Sequence, residues 1–521
     1  MNRRRFLHGT LTAALSTHLP ALQAQAQQPS GALAFLQSLL QDGSRFDASK
    51  VTEAARLLAA RPYTPPNLTL PEPFSGMNAE TYAGIQHRPE RLIWGDDPRG
   101  FMIEPLHRGS VFAAPVSISV VEDGTVRSIV YDAGRYSFGK LAAPANTPDI
   151  GFSGFRLHAA GESAREAKGE ATGEAATFQG GTFFRSLAKG QRPGAMARAV
   201  AIKTGDPRGE EFPLFRAFWI ERPTSSGMIV IHAVADSESA TAAFRFTLRR
   251  GDVTIIDAET TVFARTAIDH IGFGCVQGTF LFGANRRRSV DDLRPAVHDT
   301  NGLQMLTGRG EWIWRPLNNP GELQISSFMD ENPKAFGLVQ RDRDFGSYQD
   351  DDNRYDLRPT LWVEPIGDWG QGSVQLTEIP SDSEINDNIV VYWRPRAALA
   401  AGSQTSFAYR QFWAWHPPER NELAITSTFR VGRGSTARRR RFLVEFAGDS
   451  LAAENTADFR LALNAFSGQI VSQRVIFNAM RKTARVLFEL DPGSETAVEL
   501  RLALYEGEKQ LTETWLYRWT Q

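Results

Sequence analysis

The chain has 521 residues, of which 42% are hydrophobic and 22% charged, an ordinary mixture for a soluble globular protein of two to four domains. Its formal net charge of −1 excludes the basic face that a nucleic-acid binder needs to displace phosphate counterions. A single cysteine, Cys275, rules out an intrachain disulfide framework and a cysteine-based metal site.

The first residues read as an address. Arg3, Arg4, Phe6 and Leu7 fit the twin-arginine pattern, a mildly apolar run extends from Leu11 to Leu22, and Ala24-Gln25-Ala26 has the small-residue form of a cleavage site. The run is too short and too polar to anchor in a bilayer, which takes about 20 apolar residues. Residues 1–26 are therefore expected to be a twin-arginine signal peptide, and the mature protein to be periplasmic with no membrane span.

Residues 30–62 read as helical. Val51, Ala54, Ala55, Leu58 and Ala59 recur on one face, and Pro62 ends the pattern. From about residue 100 the period changes from helical to alternating. Val116–Val121, Ser128–Tyr131, Phe244–Leu248 and Val253–Asp257 are short runs separated by Gly, Asp, Asn and Pro, which is the pattern of an all-β sandwich or barrel. No helix is expected after residue 62. Ala160–Ala176 is rich in Gly, Glu and Ala and reads as a surface loop. Cys275 lies in the apolar run Ile271–Val276 and reads as a buried, unreactive thiol.

A strong strand pattern, Asn388–Trp393, is followed by the small-residue stretch Arg394–Gln404. The expected division is a large β-sandwich over 27–396 and an immunoglobulin-like β-sandwich over 404–521. Arg438–Arg441, the longest basic run, reads as a solvated loop or a guard on a sheet edge.

Most catalytic signatures are missing. There is no zinc-protease, Walker or Cys-x-x-Cys motif; Gly151-Phe-Ser153-Gly154 misses the serine-hydrolase spacing, and Gly272–Gly278 misses the dinucleotide fingerprint. Asp350–Asn353 lacks the register of a calcium loop, so no metal and no cofactor is assigned. Carboxylates beside aromatic residues remain, concentrated in Pro295–Pro320 and Asn332–Asn388. Glycoside cleavage uses this combination: a protonated acid for the leaving oxygen, an ionised base for water, and flat rings to hold sugars.

Several long segments carry a resemblance. They are Tyr82–Gln86, Leu92–Trp94, Gly151–Arg156, Phe183–Arg185, Glu211–Trp219, Gly310–Pro320, Asn332–Gly337, Arg358–Pro365 and Glu513–Tyr517. In this order they resemble the periplasmic glucan biosynthesis proteins G and D. The twin-arginine signal and Tyr348–Asp350 resemble the D branch, which is favoured; Asp352–Pro359 resembles the G branch. The resemblance implies the two-domain all-β architecture, often as a homodimer, and a β-1,2-linked glucan as partner. It also implies inverting endo-hydrolysis or transglycosylation of that glucan, with proton relays through water or sugar hydroxyls. The family's acid is the Asp of an E-x-x-D-N-I motif, here Asp387 in Glu384–Ile389; its base is the Asp after His in P-x-x-H-D, here Asp299. From residue type and position, Trp312, Trp314, Tyr355, Trp362 and Trp369 are candidate sugar platforms, and Arg315 and Arg358 candidate hydroxyl contacts. The alternative is a glucan-binding scaffold that uses the same cleft without cutting, and a polysaccharide lyase is a third reading.

Overall fold

The structure is a computed structural model that describes residues 31–521 except 96, 98, 142–147, 160–172, 226, 284–290, 419–421 and 453–458. The expected signal peptide and most of the 160–176 segment lie outside the described residues. Within that segment, Glu174 already opens a strand, Glu174–Gln179.

The helical reading of the N-terminal region holds. Helices Ala32–Leu39 and Ser49–Ala59 form, the second burying Val51, Ala54, Ala55 and Leu58. They pack on Trp219, Val234, Ala243 and Phe263. The Asp47 carboxylate accepts from the Ser49 N–H at 2.9 Å and satisfies a donor at the helix start. A further helix, Ala79–Ala83, is present where none is expected. Its five residues are too few to show a 3.6-residue period.

Apart from five short 3-10 turns, the remaining elements among the described residues are β. One sheet of fifteen strands runs the length of the molecule. It begins with Phe459–Ala465, Ala497–Glu506 and Thr514–Thr520, continues through Trp312–Pro316, Gly302–Leu306, Ala335–Val339 and Thr360–Ile366, and passes Gln404–Ala414 to reach Thr254–Ala264 and the strands before it in the chain. The joint between C-terminal and N-terminal strands is parallel, with Ile313 opposite Thr514 and Trp314 opposite Trp515. A ten-stranded sheet and a four-stranded sheet pack on this long one. Gln404–Ala414, which the sequence pattern assigns to the C-terminal unit, is hydrogen-bonded on both edges to strands of the N-terminal unit, Thr254–Ala264 and Thr360–Ile366. The four-stranded sheet starts at Ile425.

The strands at the joint are covered on both faces. Leu361 and Val363 join the core that holds Phe336 and Trp393, while Trp362 between them joins Phe442, Phe488 and Trp515. Alternate side chains of a strand point to opposite faces, so the two smaller sheets lie on opposite sides here. Burial on both faces is why these strands read as unbroken apolar runs. Gly302 belongs to the same packing: a Cβ there would lie 2.4 Å from the Trp314 ring.

Cys275 is fully buried, and burial pushes its thiol up to about 12, so it is unreactive as expected. Three arginines of the basic run pair with two carboxylates of the same sheet: Arg438 and Arg439 with Asp491 at 3.1 Å, and Arg441 with Glu489 at 3.2 Å.

Candidate functional site

The ten-stranded sheet carries the acidic pair. Strands Ile271–Gly278 and Ile389–Pro395 pair antiparallel, with Gly278 opposite Ile389. Thr279 follows the first strand and Asp387 precedes the second. Phe280 then pairs with His298, which brings Asp299 back beside Thr279. The Asp299 N–H donates to the Thr279 carbonyl at 2.8 Å, and the Thr279 N–H donates to Asp299 Oδ2 at 2.9 Å. The Thr279 hydroxyl lies 3.5 Å from Asp387 Oδ1. Two carboxylates remote in sequence are thus brought to one threonine, whose hydroxyl also lies 3.1 Å from the Asn386 carbonyl and 3.3 Å from that of Glu384.

Their surroundings differ. Asp387 is half-buried, and Gln277 Nε2 donates to its Oδ2 at 2.6 Å. Gln277 is oriented in turn by Arg198, whose Nε donates to Gln277 Oε1 at 2.5 Å, and Arg198 is held by Glu210. Asp299 is only 4% exposed. Burial pushes its carboxyl upward; the Arg358 guanidinium, 3.4 Å from Oδ1, and the Thr279 N–H oppose that, Glu384 adds to it, and the net shift is upward. The adjacent His298 is buried, stacked on Phe280 with ring centroids 5.1 Å apart, and burial lowers it to about 3, so it stays neutral.

The loop that carries Asp387 is pinned. Asn388 Oδ1 accepts from the Phe280 N–H at 2.8 Å, and its Nδ2 lies 3.0 Å from the Phe280 and Ile379 carbonyls. Asn319 reaches the same loop, accepting from the Ser381 N–H at 3.0 Å and donating to the Ser381 carbonyl at 2.8 Å. Glu384 is held by Arg294 at 2.8 Å and by the Tyr355 hydroxyl at 3.1 Å. Arg294 also binds Asp350 at 2.7 Å. Burial raises Asp350, but the Asn353 N–H and Arg294 more than offset this and bring it to about 2. The Asp350–Asn353 turn is therefore an ion-paired cap.

Of the residues expected at the site, Asp299, Asp387, Tyr355 and Arg358 come together. The Arg358 guanidinium stands 4.8 Å from the centre of the Tyr355 ring. The other candidates need correction. Trp362 is fully buried and Trp369 4% exposed, each packed in a hydrophobic core, so neither offers a face to a sugar. Trp312 stacks on Trp362 with centroids 6.0 Å apart. Trp314 is 4% exposed, with the Arg341 guanidinium 3.4 Å above its ring. Arg315 is 1% exposed and pairs with the fully buried Glu378 at 3.1 Å, which makes it part of the interior.

A cavity of about 680 Å³ adjoins the pair, lined by His298, Trp314, Arg341, Asp342, Phe429 and Arg430 among others; neither aspartate lines it. Gln277, Thr279 and Arg294 escape sequence reasoning. One signal was present: Gly278 sits where a Cβ would come within 3.3 Å of Asp299 Oδ2, so this glycine belongs to the acidic pair. Among the described residues, no group of three His, Cys, Asp or Glu is placed to hold a metal ion.

The family described as "Periplasmic glucan biosynthesis protein, MdoG" matches residues 46–519. The chain belongs to this family. Glucans biosynthesis protein G of Rhodopseudomonas palustris (strain BisA53) is 40% identical over 523 residues, covering 100% of both chains. The protein of the same name from Shewanella sp. (strain W3-18-1) is 42% identical over 481 residues, covering 91% of this chain and 87% of its own. A chondroitinase AC lyase structure covers 57% of this chain at 10% identity and a TM-score of 0.17, a likeness too slight to bear on fold or chemistry.

The relatives correct the branch: they are G proteins, so the D branch favoured from the twin-arginine pattern gives way to G. That reading weighed a few residues at Arg3–Leu7 and Tyr348–Asp350, whereas the identity extends over the whole chain. A member of this periplasmic glucan biosynthesis family acts in the periplasm. No described helix is long and apolar enough to cross a membrane.

Proposed function

We propose that this periplasmic glucan biosynthesis protein cuts or rearranges a β-1,2-linked glucan as an inverting endo-hydrolase or transglycosylase. Asp387 serves as general acid and Asp299 as general base. The observation that carries the reading is Thr279, whose N–H donates to Asp299 and whose hydroxyl lies 3.5 Å from Asp387. Inverting enzymes hold their two carboxyls about 6.5–9.5 Å apart to leave room for water, and a pair separated by one residue suits that requirement. Asp387, half-buried and accepting from Gln277 through Oδ2, is to carry the proton that passes to the leaving oxygen. Asp299 takes a proton from the attacking water, directly or through a sugar hydroxyl. Burial makes it a stronger base than an ordinary aspartate, while Arg358 supports its charged form.

One observation favours the scaffold reading instead. Both Asp299 oxygens are already engaged, Oδ2 by the Thr279 N–H and Oδ1 by Arg358, in a residue only 4% exposed. Incubation of the purified protein with linear β-1,2-glucan separates the readings. Shorter chains whose new ends first appear with inverted anomeric configuration support hydrolysis, and chains both shorter and longer support transglycosylation. Unchanged lengths with binding retained establish the scaffold, and products absorbing in the ultraviolet would mean a lyase.

A pH profile tests the base. Asp299 must be ionised to act, so activity falls as pH drops through its raised titration. Arg358→Met keeps the aliphatic packing but removes the cation that favours the ionised form. Its acidic limb is expected to move to higher pH while the alkaline limb stays in place. An unmoved acidic limb excludes Asp299 as the group that titrates there.

A further inference from the structure

A second cleft, of about 600 Å³, is lined by Tyr82, His87, Glu104, Arg156, Glu174 and Arg185 among others. The acidic pair makes no use of it, although it draws on four of the segments that carry the family resemblance: Tyr82–Gln86, Leu92–Trp94, Gly151–Arg156 and Phe183–Arg185. Its polar lining forms one row across four strands, with Glu104 opposite Arg156, Arg156 opposite Thr177 and Thr177 opposite Arg185.

Charge in this cleft balances. Burial raises Glu174, but Arg185, at 2.8 Å, and Arg156 outweigh it, and the net shift is downward. Burial likewise raises Glu104, and His158 at 2.6 Å and Arg156 at 3.2 Å bring it below the ordinary value. Two ionised carboxylates thus face two guanidiniums, with the His158 ring against Glu104, and burial lowers His87 toward its neutral form. Such a lining suits neither a phosphate nor a cation. It does present fixed donors and acceptors together, which is what hydroxyl groups, donors and acceptors at once, can use. Tyr82, Leu92 and Met102 supply the apolar part of the lining, against which the C–H face of a sugar ring can lie.

The cleft shares a face of the sheet with the acidic pair. Phe183 lies two residues from Arg185 on the same strand and therefore on the same face, and it pairs with Arg198. Arg198 leads through Gln277 to Asp387. Between the two sites the Arg198 guanidinium lies 5.0 Å from the Phe183 ring and 5.2 Å from that of Phe212, which is 46% exposed. Four inter-strand steps of about 4.8 Å separate the strand of Glu174 from Asp387, roughly 20 Å in all.

We propose that this cleft is a distal subsite for the same glucan, holding uncharged sugar rings several residues along the chain from the bond that is cut. The inference rests on the glucan reading of the acidic pair. It makes affinity depend on chain length, because only a chain long enough to cover both places gains from the second.

Ala83 lies exposed on the cleft rim, so Ala83→Trp obstructs the entrance without disturbing the interior. Arg156→Met removes one guanidinium and leaves Glu174 with Arg185. Binding of a long linear β-1,2-glucan and of a short oligosaccharide is measured by calorimetry for wild type and both variants. Wild type is expected to bind the long chain at least tenfold more tightly than the short one, and Ala83→Trp to abolish that advantage while leaving short-chain affinity unchanged. Arg156→Met is expected to weaken long-chain binding in the same sense. Unaltered long-chain affinity in Ala83→Trp overturns the inference, as does equal weakening for both lengths. A wild type that binds long and short chains alike overturns this inference alone; one that binds neither overturns the glucan reading as well.

Discussion

Asp387→Asn is expected to lower the rate of β-1,2-glucan cleavage by about a hundredfold or more, the usual contribution of a positioned general acid. The amide is nearly isosteric, and its oxygen can still accept from Gln277 Nε2, which lies 2.6 Å from Asp387 Oδ2. Asn388 and Asn319 continue to hold the loop to Phe280, Ile379 and Ser381. The variant should therefore fold and bind glucan as wild type does, and lose only the proton. Product formation followed over time, with binding measured in parallel by calorimetry, checks both halves. A variant that still cuts at the wild-type rate removes Asp387 from the mechanism. A variant that loses binding and cutting together points to a damaged loop, which Asp387→Glu would expose by restoring neither.

Arg315→Ala is expected to cost about 3–5 kcal/mol of stability, the range for breaking a buried ion pair by removing one partner. Arg315 is 1% exposed and Glu378 fully buried, with 3.1 Å between their charged atoms. The Asn318 N–H still donates to Glu378 Oε1 at 2.7 Å, but the substitution takes a counter-charge from a carboxylate held away from water. The paired replacement Arg315→Met with Glu378→Met should cost much less, because two apolar side chains need no counter-charge. Urea unfolding with an unchanged denaturant slope measures each loss. A loss below about 1 kcal/mol, the scale of an exposed ion pair, would show that the guanidinium reaches water and would return Arg315 to the list of sugar contacts.

The case of Arg315 shows where reading by residue type fails. Arginine and tryptophan near carboxylates look the same in sequence whether they face a cleft or an interior. Trp314 and Trp362 are buried and Trp312 half-buried, because their strands have sheets on both sides and these rings pack toward the four-stranded sheet. Nothing within Thr360–Ile366 announces that second sheet, because its strands begin only at Ile425. Tyr355, 3% exposed, is as buried as these tryptophans and offers no open face either, but it and Arg358 are placed by a different kind of segment. They belong to an irregular segment, a short 3-10 turn and the residue that caps it, and this segment stands over Asp299.

By itself the sequence determined the all-β class, the paired N-terminal helices, the inert Cys275 and, through long ordered motifs, the family. These depend on local period, on apolar content and on resemblance, none of which requires knowing what lies across a sheet. Only the tertiary structure decided that Thr279 lies beside both Asp299 and Asp387, that Gln277 and Arg294 order the groups around them, and that most of the expected sugar platforms are buried. Which residues meet across a sheet, and which face of a strand another sheet covers, depends on pairing between strands far apart in the chain. Neighbouring residues carry no record of that pairing.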